Sequence, residues 1–308
     1  MAPQRDPHRS ESNPPKKAHP APPANEARTT TQVSRGELAF NVAEAGPPDG
    51  EPVLLLHGFP QHSDSWDALV PHLIAAGYRT IAMDQRGYSP GARPVGRAAY
   101  RITELVADAA AVIDLCAGGC AHVVGHDWGA AVAWALASAE PDKVRSLTSL
   151  SVPHPGAFLR AMLTSTQGLK SWYMYLFQLP WLPELLLRGR LADVLVRSGQ
   201  SRGRAERDAA GIAGPGALTA ALNWYRAMPL LDPRRANDPV RRPTLFVWSD
   251  GDVAIGRAGV DRTPRYIQAP YRFEALRGVS HWIPDEAPDA LADLLVPHLN
   301  RWSNGSAG

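Results

Sequence analysis

Apolar residues in this chain gather in short solid runs separated by longer amphipathic stretches, and the alternation persists for most of its length. The run at 53–56 is apolar at every position, as expected of a strand buried on both faces of a parallel sheet. The pattern predicts strands at 37–43, 53–56, 80–83, 121–124 and 146–152, with helices at 65–75, 102–116 and 130–139 between them. After an interruption it resumes with strands at 244–248 and 271–276 and a last helix at 288–302. On that helix Leu291, Leu294, Leu295, Leu299 and Trp302 form one stripe, into which His298 also falls. Strand and helix in alternation predict an α/β fold built on a mostly parallel twisted sheet flanked by helices.

Two stretches break the rhythm. Residues 1–32 are rich in Pro, Ser, Lys and Arg and nearly empty of large apolar side chains, so they are expected to form a disordered tail. Residues 153–235 read as helical and aromatic with no convincing strand, an insertion of the size of a cap. The expected organisation is therefore a core at 33–152, the cap at 153–235, the rest of the core at 236–302 and a flexible end at 303–308.

Composition narrows the class. With 308 residues, 44% of them hydrophobic, the chain can bury a large core, and a net charge of +2 gives no sign of a nucleic-acid partner. Cys116 and Cys120 are the only cysteines, too few for a disulfide framework and without further ligands at metal spacing, so they are expected as buried thiols. No apolar run reaches the roughly 20 residues of a membrane span, and the amino terminus lacks the apolar segment of a signal peptide. The expected location is cytoplasmic.

The chemistry centres on Gly125-His126-Asp127-Trp128-Gly129-Ala130, between the strand at 121–124 and the helix at 130–139. This is the pattern of a nucleophile elbow with aspartate in place of serine; the glycines leave room for a sharp turn and the new helix offers free N–H groups. A carboxylate is suited to alkylation at a strained or activated carbon, forming an ester that water then cleaves. His57-Gly58-Phe59-Pro60, at the end of the strand at 53–56, can aim the Phe59 N–H at the pocket beside that of Trp128. Ser249-Asp250-Gly251-Asp252 follows a strand and supplies an acid, Asp252, with Asp250 as rival. His281 lies in a loop just after a strand, so nucleophile, acid and histidine follow in the order this arrangement requires. The cap carries Ser171-Trp172-Tyr173-Met174-Tyr175 and Asn223-Trp224-Tyr225-Arg226, whose tyrosines could donate a proton or simply pack helices together.

Taken in order, His-Gly-Phe-Pro, Asp84-Gln85-Arg86-Gly87-Tyr88, Gly-His-Asp-Trp-Gly-Ala, Asn-Trp-Tyr-Arg and Gly-x-Ser-His-Trp resemble the α/β-hydrolases of the epoxide hydrolase branch over residues 34–302. The resemblance implies an α/β-hydrolase fold with an inserted helical cap and hydrolysis of an epoxide to a vicinal diol without metal or cofactor. It implies Asp127 as nucleophile, Asp252 as acid and His281 as base. Tyr173 and Tyr225 match the epoxide-activating tyrosines, with Tyr175 close enough to replace Tyr173, and Phe59 and Trp128 match the oxyanion-hole positions. The expected partner is a small, mostly apolar epoxide, and Trp172, Phe177 and Trp181 are expected to line or seal the cap interface. His57 and His126 are expected to be structural, and Asp84 and Arg86 to serve in an ion pair holding their loop.

Haloalkane dehalogenation is the alternative with the same aspartate, histidine and acid; Trp128 together with Trp172, Trp181 or Trp224 could then clamp a halide. Haloacid chemistry fits less well, since Trp128 and Ala131 stand where a carboxylate clamp would place arginines. A noncatalytic receptor on a hydrolase scaffold is the reading from another class, and the presence of nucleophile, acid and base argues against it.

Overall fold

A computed structural model describes residues 28–303, so most of the expected tail and residues 304–308 lie outside the described residues. Eight strands form one sheet in the order β1-β2-β4-β3-β5-β6-β7-β8. They are β1 Thr29–Arg35, β2 Leu38–Ala45, β3 Glu51–Leu56, β4 Tyr78–Met83, β5 Ala121–His126, β6 Val144–Leu150, β7 Thr244–Ser249 and β8 Tyr271–Leu276. β1 pairs antiparallel with β2, and β2 antiparallel with β4; every later pairing is parallel. The expected mostly parallel sheet flanked by helices is thus present.

The solid apolar run of β3 is explained by its two faces. Leu54 and Leu56 pack into the core on one side of the sheet, and Val53 and Leu55 into the core on the other. Successive side chains of a strand point to opposite faces, so a strand covered by helices on both sides must be apolar throughout. The helix Pro288–Arg301 covers one face through Leu291, Leu295 and Leu299. His298 is buried in the same helix. The helix Trp128–Ala139 covers the other face through Val132, Ala133 and Leu136.

The disordered tail expected to reach residue 32 gives way to β1 at Thr29. β1 was not anticipated because it lies at the sheet edge with mostly exposed side chains, only Val33 being buried, so it lacks any apolar alternation. Its β-branched Thr29-Thr30-Thr31 run is the one local signal. Elsewhere the differences concern ends, except that the helix expected over 65–75 divides into a short turn of helix, Ser63–Trp66, and the helix Val70–Ala75. Pro71, in the first turn of the second, suits a helix start.

Between β6 and β7 the chain runs through seven α-helices, Pro155–Thr164, Gln167–Lys170, Trp172–Leu176, Leu182–Leu187, Leu191–Arg197, Arg202–Gly211 and Ala217–Ala227, and two short turns of helix, Met228–Leu230 and Arg235–Asn237, with no strand. Arg226 ties them together, donating to Glu184 at 2.8 Å and to the carbonyls of Phe177 and Leu179 at 3.1 and 2.8 Å. Trp224 joins this layer to the sheet domain through its indole N–H, which donates to the Arg86 carbonyl at 2.8 Å.

Arg86 and Asp84 do not pair with each other. Arg86 makes a buried two-pronged contact with Asp108 at 2.7 and 2.8 Å, and Asp84 accepts the Ser63 N–H at 2.8 Å. The two side chains brace the same loop against different elements. Cys116 and Cys120 are free thiols, each half-buried.

Candidate active site

The carboxyl ends of β3, β5, β6 and β7, together with the loop after β8, deliver the candidate residues to one edge of the sheet, where open α/β sheets place their ligands. β5 ends at His126, and Asp127 turns the chain with φ 50 and ψ −119 before the helix Trp128–Ala139 begins. A non-glycine residue in so rare a conformation costs roughly 1–3 kcal/mol and must be held by its surroundings. Glycines on both sides allow it: a Cβ on Gly129 would stand 2.0 Å from the Leu56 carbonyl oxygen, and one on Gly125 would stand 2.3 Å from that of Gly129.

The Phe59 N–H donates to Asp127 Oδ1 at 2.9 Å, across the turn that contains the cis Phe59–Pro60 bond. Asp127 Oδ2 lies 3.5 Å from His281 Nε2. On the other side of that ring, Nδ1 is 2.7 Å from Asp252 Oδ2. The Asp252 side chain is fully buried, and its second oxygen accepts the N–H groups of Ala254 and Ile255, each at 2.8 Å. Asp250 is exposed and accepts the Gly278 N–H at 2.7 Å, a turn contact away from the histidine. Of the two acids, Asp252 is the one brought to His281.

Charge follows from this geometry. Burial opposes the positive form of His281, but the charge of Asp252 and the hydrogen bonds to both carboxylates outweigh it and raise its pKa to about 10. Burial likewise opposes ionisation of Asp127, yet His281 and the Phe59 N–H hold its pKa below the ordinary carboxylate value. The resting site is therefore an imidazolium between two carboxylates. A histidine whose pKa is raised on folding stabilises the fold fully below its unfolded value, roughly 6.5, and that contribution is lost as pH rises through the folded value. Thermal stability should accordingly decline between about pH 6.5 and 10. Melting curves across that range check this, and the decline should be absent from His281→Gln.

Tyr173 and Tyr225 reach the same region from the cap, their ring centroids 6.1 Å apart. Tyr225 packs edge-on against Phe59, Phe177 and Trp128, with centroids 5.4, 5.0 and 5.1 Å away. Burial, reinforced by the negative charge of Asp127, pushes both phenols above their ordinary pKa, so both keep their protons at neutral pH. Tyr175 is 60% exposed, which separates it from Tyr173.

Beside Asp127 opens a cavity of about 120 Å³, bounded by Leu105, Trp128, Val152, Phe158, Met174, Trp224, Met228 and Ile255 among others. Among the described residues, Asp127 is the only charged one along its wall. Phe177 is buried beside Tyr225, but Trp172 and Trp181, expected to line or seal the cap interface, are 63% and 69% exposed. Their places in an aromatic-rich stretch did not reveal which helix face they occupy.

His57 and His126 are both fully buried. His57 donates from Nδ1 to the Gly58 carbonyl at 3.0 Å and accepts the Gln85 N–H at Nε2 at 3.1 Å, which fixes the turn before Phe59. Burial lowers the pKa of each to about 4. Three residues around the site went unnoticed in the sequence. Ser151, with φ 68, donates to the His281 carbonyl at 3.0 Å; Gln61 and Asp285 lie behind His126. Gln61 directly follows the His-Gly-Phe-Pro turn and could have been found there, whereas nothing local distinguishes Asp285 from a surface acid in a helix start.

Residues 51–288 match the family described as alpha/beta hydrolase fold. An AB hydrolase superfamily protein of Bacillus subtilis is 35% identical, the alignment covering 87% of this chain and 96% of the relative. Epoxide hydrolase A of Mycobacterium tuberculosis is 30% identical over 89% of this chain and 98% of its own. The crystal structure of epoxide hydrolase A from Mycobacterium thermoresistibile superposes with a TM-score of 0.78 at 27% identity, covering 90% of this chain and 99% of that one. With an aspartate elbow at the end of β5 and likeness of this extent along nearly the whole of both chains, the protein belongs to the α/β-hydrolase fold family, in its epoxide hydrolase-like branch.

Proposed function

We propose that the protein hydrolyses apolar epoxides to vicinal diols through a covalent ester on Asp127. The observation that carries this reading is the placement of one carboxylate, Asp127, at the wall of an apolar cavity, with His281 at 3.5 Å and two protonated tyrosines arriving from the cap. Tyr173 and Tyr225 would hydrogen-bond the epoxide oxygen and supply a proton as the C–O bond breaks, while Asp127 Oδ2 attacks the ring carbon from the opposite face. Oδ1 would stay with the Phe59 N–H and become the ester carbonyl oxygen.

Esterification removes the negative charge of Asp127, one of the influences that hold the proton on His281. His281 thus becomes a base only after the ester forms. The proton it releases balances the one taken up by the opening ring. Held by Asp252, it would then deprotonate a water that attacks the ester carbonyl. The N–H groups of Phe59 and Trp128 would stabilise the oxyanion, each donor contributing about 3 kcal/mol. Collapse of the oxyanion would break the bond between the carboxyl carbon and Oδ2, and the departing alkoxide would take the second proton of the water, so that diol leaves with Asp127 again a carboxylate and His281 again an imidazolium.

Halide release is poorly served by the same site. The Trp224 indole N–H is engaged by the Arg86 carbonyl, and Trp172 and Trp181 face outward, so the indoles proposed as partners for Trp128 are not available to clamp a halide.

A single turnover of a styrene-oxide-like epoxide in ¹⁸O-labelled water, with enzyme in excess, tests the reading. Unlabelled diol should appear first, with the label left in the protein at Asp127. Label in the first diol would mean direct attack by water on the epoxide, and an absence of diol with halide released from a bromoalkane would favour dehalogenation.

A further inference from the structure

Behind the pocket, a chain of fully buried polar groups joins the cap to the backbone of His281. His126 Nε2 lies 2.9 Å from the His281 carbonyl oxygen, and Nδ1 lies 3.1 Å from Gln61 Oε1. Gln61 Nε2 lies 2.9 Å from Asp285 Oδ2. His126, Gln61 and the Asp285 side chain are all fully shielded from water. The cap closes the far end: Arg204 pairs with Asp285 Oδ1, and Gln200 Nε2 reaches both Asp285 at 3.2 Å and Asp208 at 2.6 Å.

With Gln61 Oε1 toward His126, both ring nitrogens face acceptors, and the ring must carry two protons. An amide can turn over in place. Its NH₂ then donates to a neutral His126, but its oxygen faces Asp285, which must be the protonated acid to donate. Either orientation requires one proton more than a neutral histidine and an ionised aspartate would supply.

We propose that His126, Gln61 and Asp285 hold one shared proton in a buried relay, and that Asp285 is a positioning residue which, through this relay, seats the His281 loop for ester hydrolysis. The positioning half rests on the reading of His281 as the base. Burial lowers the pKa of His126 to about 4 and raises that of Asp285 against the pull of Arg204 and Arg207, which favours the acid as the proton's resting place. The other ionisable groups facing the relay are Asp208 on the cap and, through Arg207, Asp64 on the turn Ser63–Trp66. On the pocket side they are His281, Asp127 and Asp252. Loss of the shared proton at high pH would leave two acceptors face to face without water between them. It would also loosen one of the two hydrogen bonds on the His281 carbonyl, the other coming from Ser151.

The proton count is measured on the wild-type protein without substrate. Histidine ¹⁵N and aspartate ¹³C spectra at neutral pH should show either a doubly protonated His126 or an un-ionised Asp285. A singly protonated His126 beside an ionised Asp285 would overturn the relay. The positioning role is measured by single-turnover kinetics with the same epoxide, separating ester formation from ester hydrolysis.

Asp285→Ala should slow hydrolysis about tenfold or more while ester formation stays within about twofold. Asp285→Asn offers an N–H in place of the acid O–H and needs no shared proton, so it should restore hydrolysis and remove its decline at high pH. Unchanged hydrolysis and pH profile in both variants would overturn the positioning role; if Asp285→Ala does not fold, Asp285→Asn alone decides through the pH profile. If the wild-type protein opens no epoxide, the proposed function fails and the positioning role with it, whereas the proton count stands or falls on the spectra.

Discussion

Replacing His281 with glutamine should leave a protein that opens one epoxide and then stops. Glutamine retains a polar side chain beside Asp252 but cannot take a proton from water, so the ester on Asp127 should accumulate while steady turnover falls by about 10⁴ or more. Intact mass after exposure to the epoxide would show an adduct of one substrate per chain, and peptide mapping would place it at Asp127. Asp127→Ala should show neither adduct nor turnover. Undiminished steady turnover by His281→Gln would remove the histidine from the mechanism. The experiment also tests the order of charge events, because a trapped ester requires that ring opening does not depend on His281 as a base. In the resting site that condition is met: His281 is protonated, and Asp127 is already ionised and held at Oδ1 by the Phe59 N–H.

The second large effect should come from the cap. Tyr173→Phe and Tyr225→Phe remove one hydroxyl each while keeping the rings that pack against Phe177 and against each other. Each single variant retains the other donor, so its loss should be moderate. The double variant leaves the departing alkoxide without a donor from the cap and should slow ring opening by about 10²–10⁴. Rapid-quench measurement of ester formation distinguishes this from slower hydrolysis, and a melting temperature close to that of the wild type would exclude loss of the cap as the cause. Ring opening within twofold of wild type in the double variant would assign the proton to another group. Tyr175→Phe, altering a residue that is 60% exposed, serves as the control.

How much of this was legible beforehand depended on whether the physical signal was local. Ile102–Cys116 and Tyr271–Leu276 have the ends that periodicity predicted, because burial on a helix face or within a sheet imposes its own spacing on the residues concerned. β1 was missed because an exposed edge strand is under no such constraint. In the site, Asp127 stood out because a strand-to-helix turn this tight demands small neighbours on both sides, a requirement written within six residues. The choice between Asp250 and Asp252 was not local. Both belong to the same acidic turn after β7, and only the approach of the loop after β8 brings His281 to Asp252 while leaving Asp250 at the surface.

The cap shows the same division more sharply. Its helical character could be read from composition, but its helices are short, and short amphipathic segments leave the buried face undetermined. Tyr173 turns inward and Tyr175 outward, Phe177 is buried, and Trp172 and Trp181 are exposed, an arrangement set by where each helix meets the sheet domain. By itself, then, the sequence determined the alternating fold and the aspartate elbow, since each is imposed by contacts between near neighbours or by repeated burial, and it placed Asp127, Asp252 and His281 in that order at or after strand ends. Tertiary structure alone decided which acid meets the histidine, which aromatics face the cavity, and that Gln61, Ser151 and Asp285 stand behind the site. Those contacts join residues as far as 224 positions apart, as between Gln61 and Asp285, and no local spacing carries a record of them.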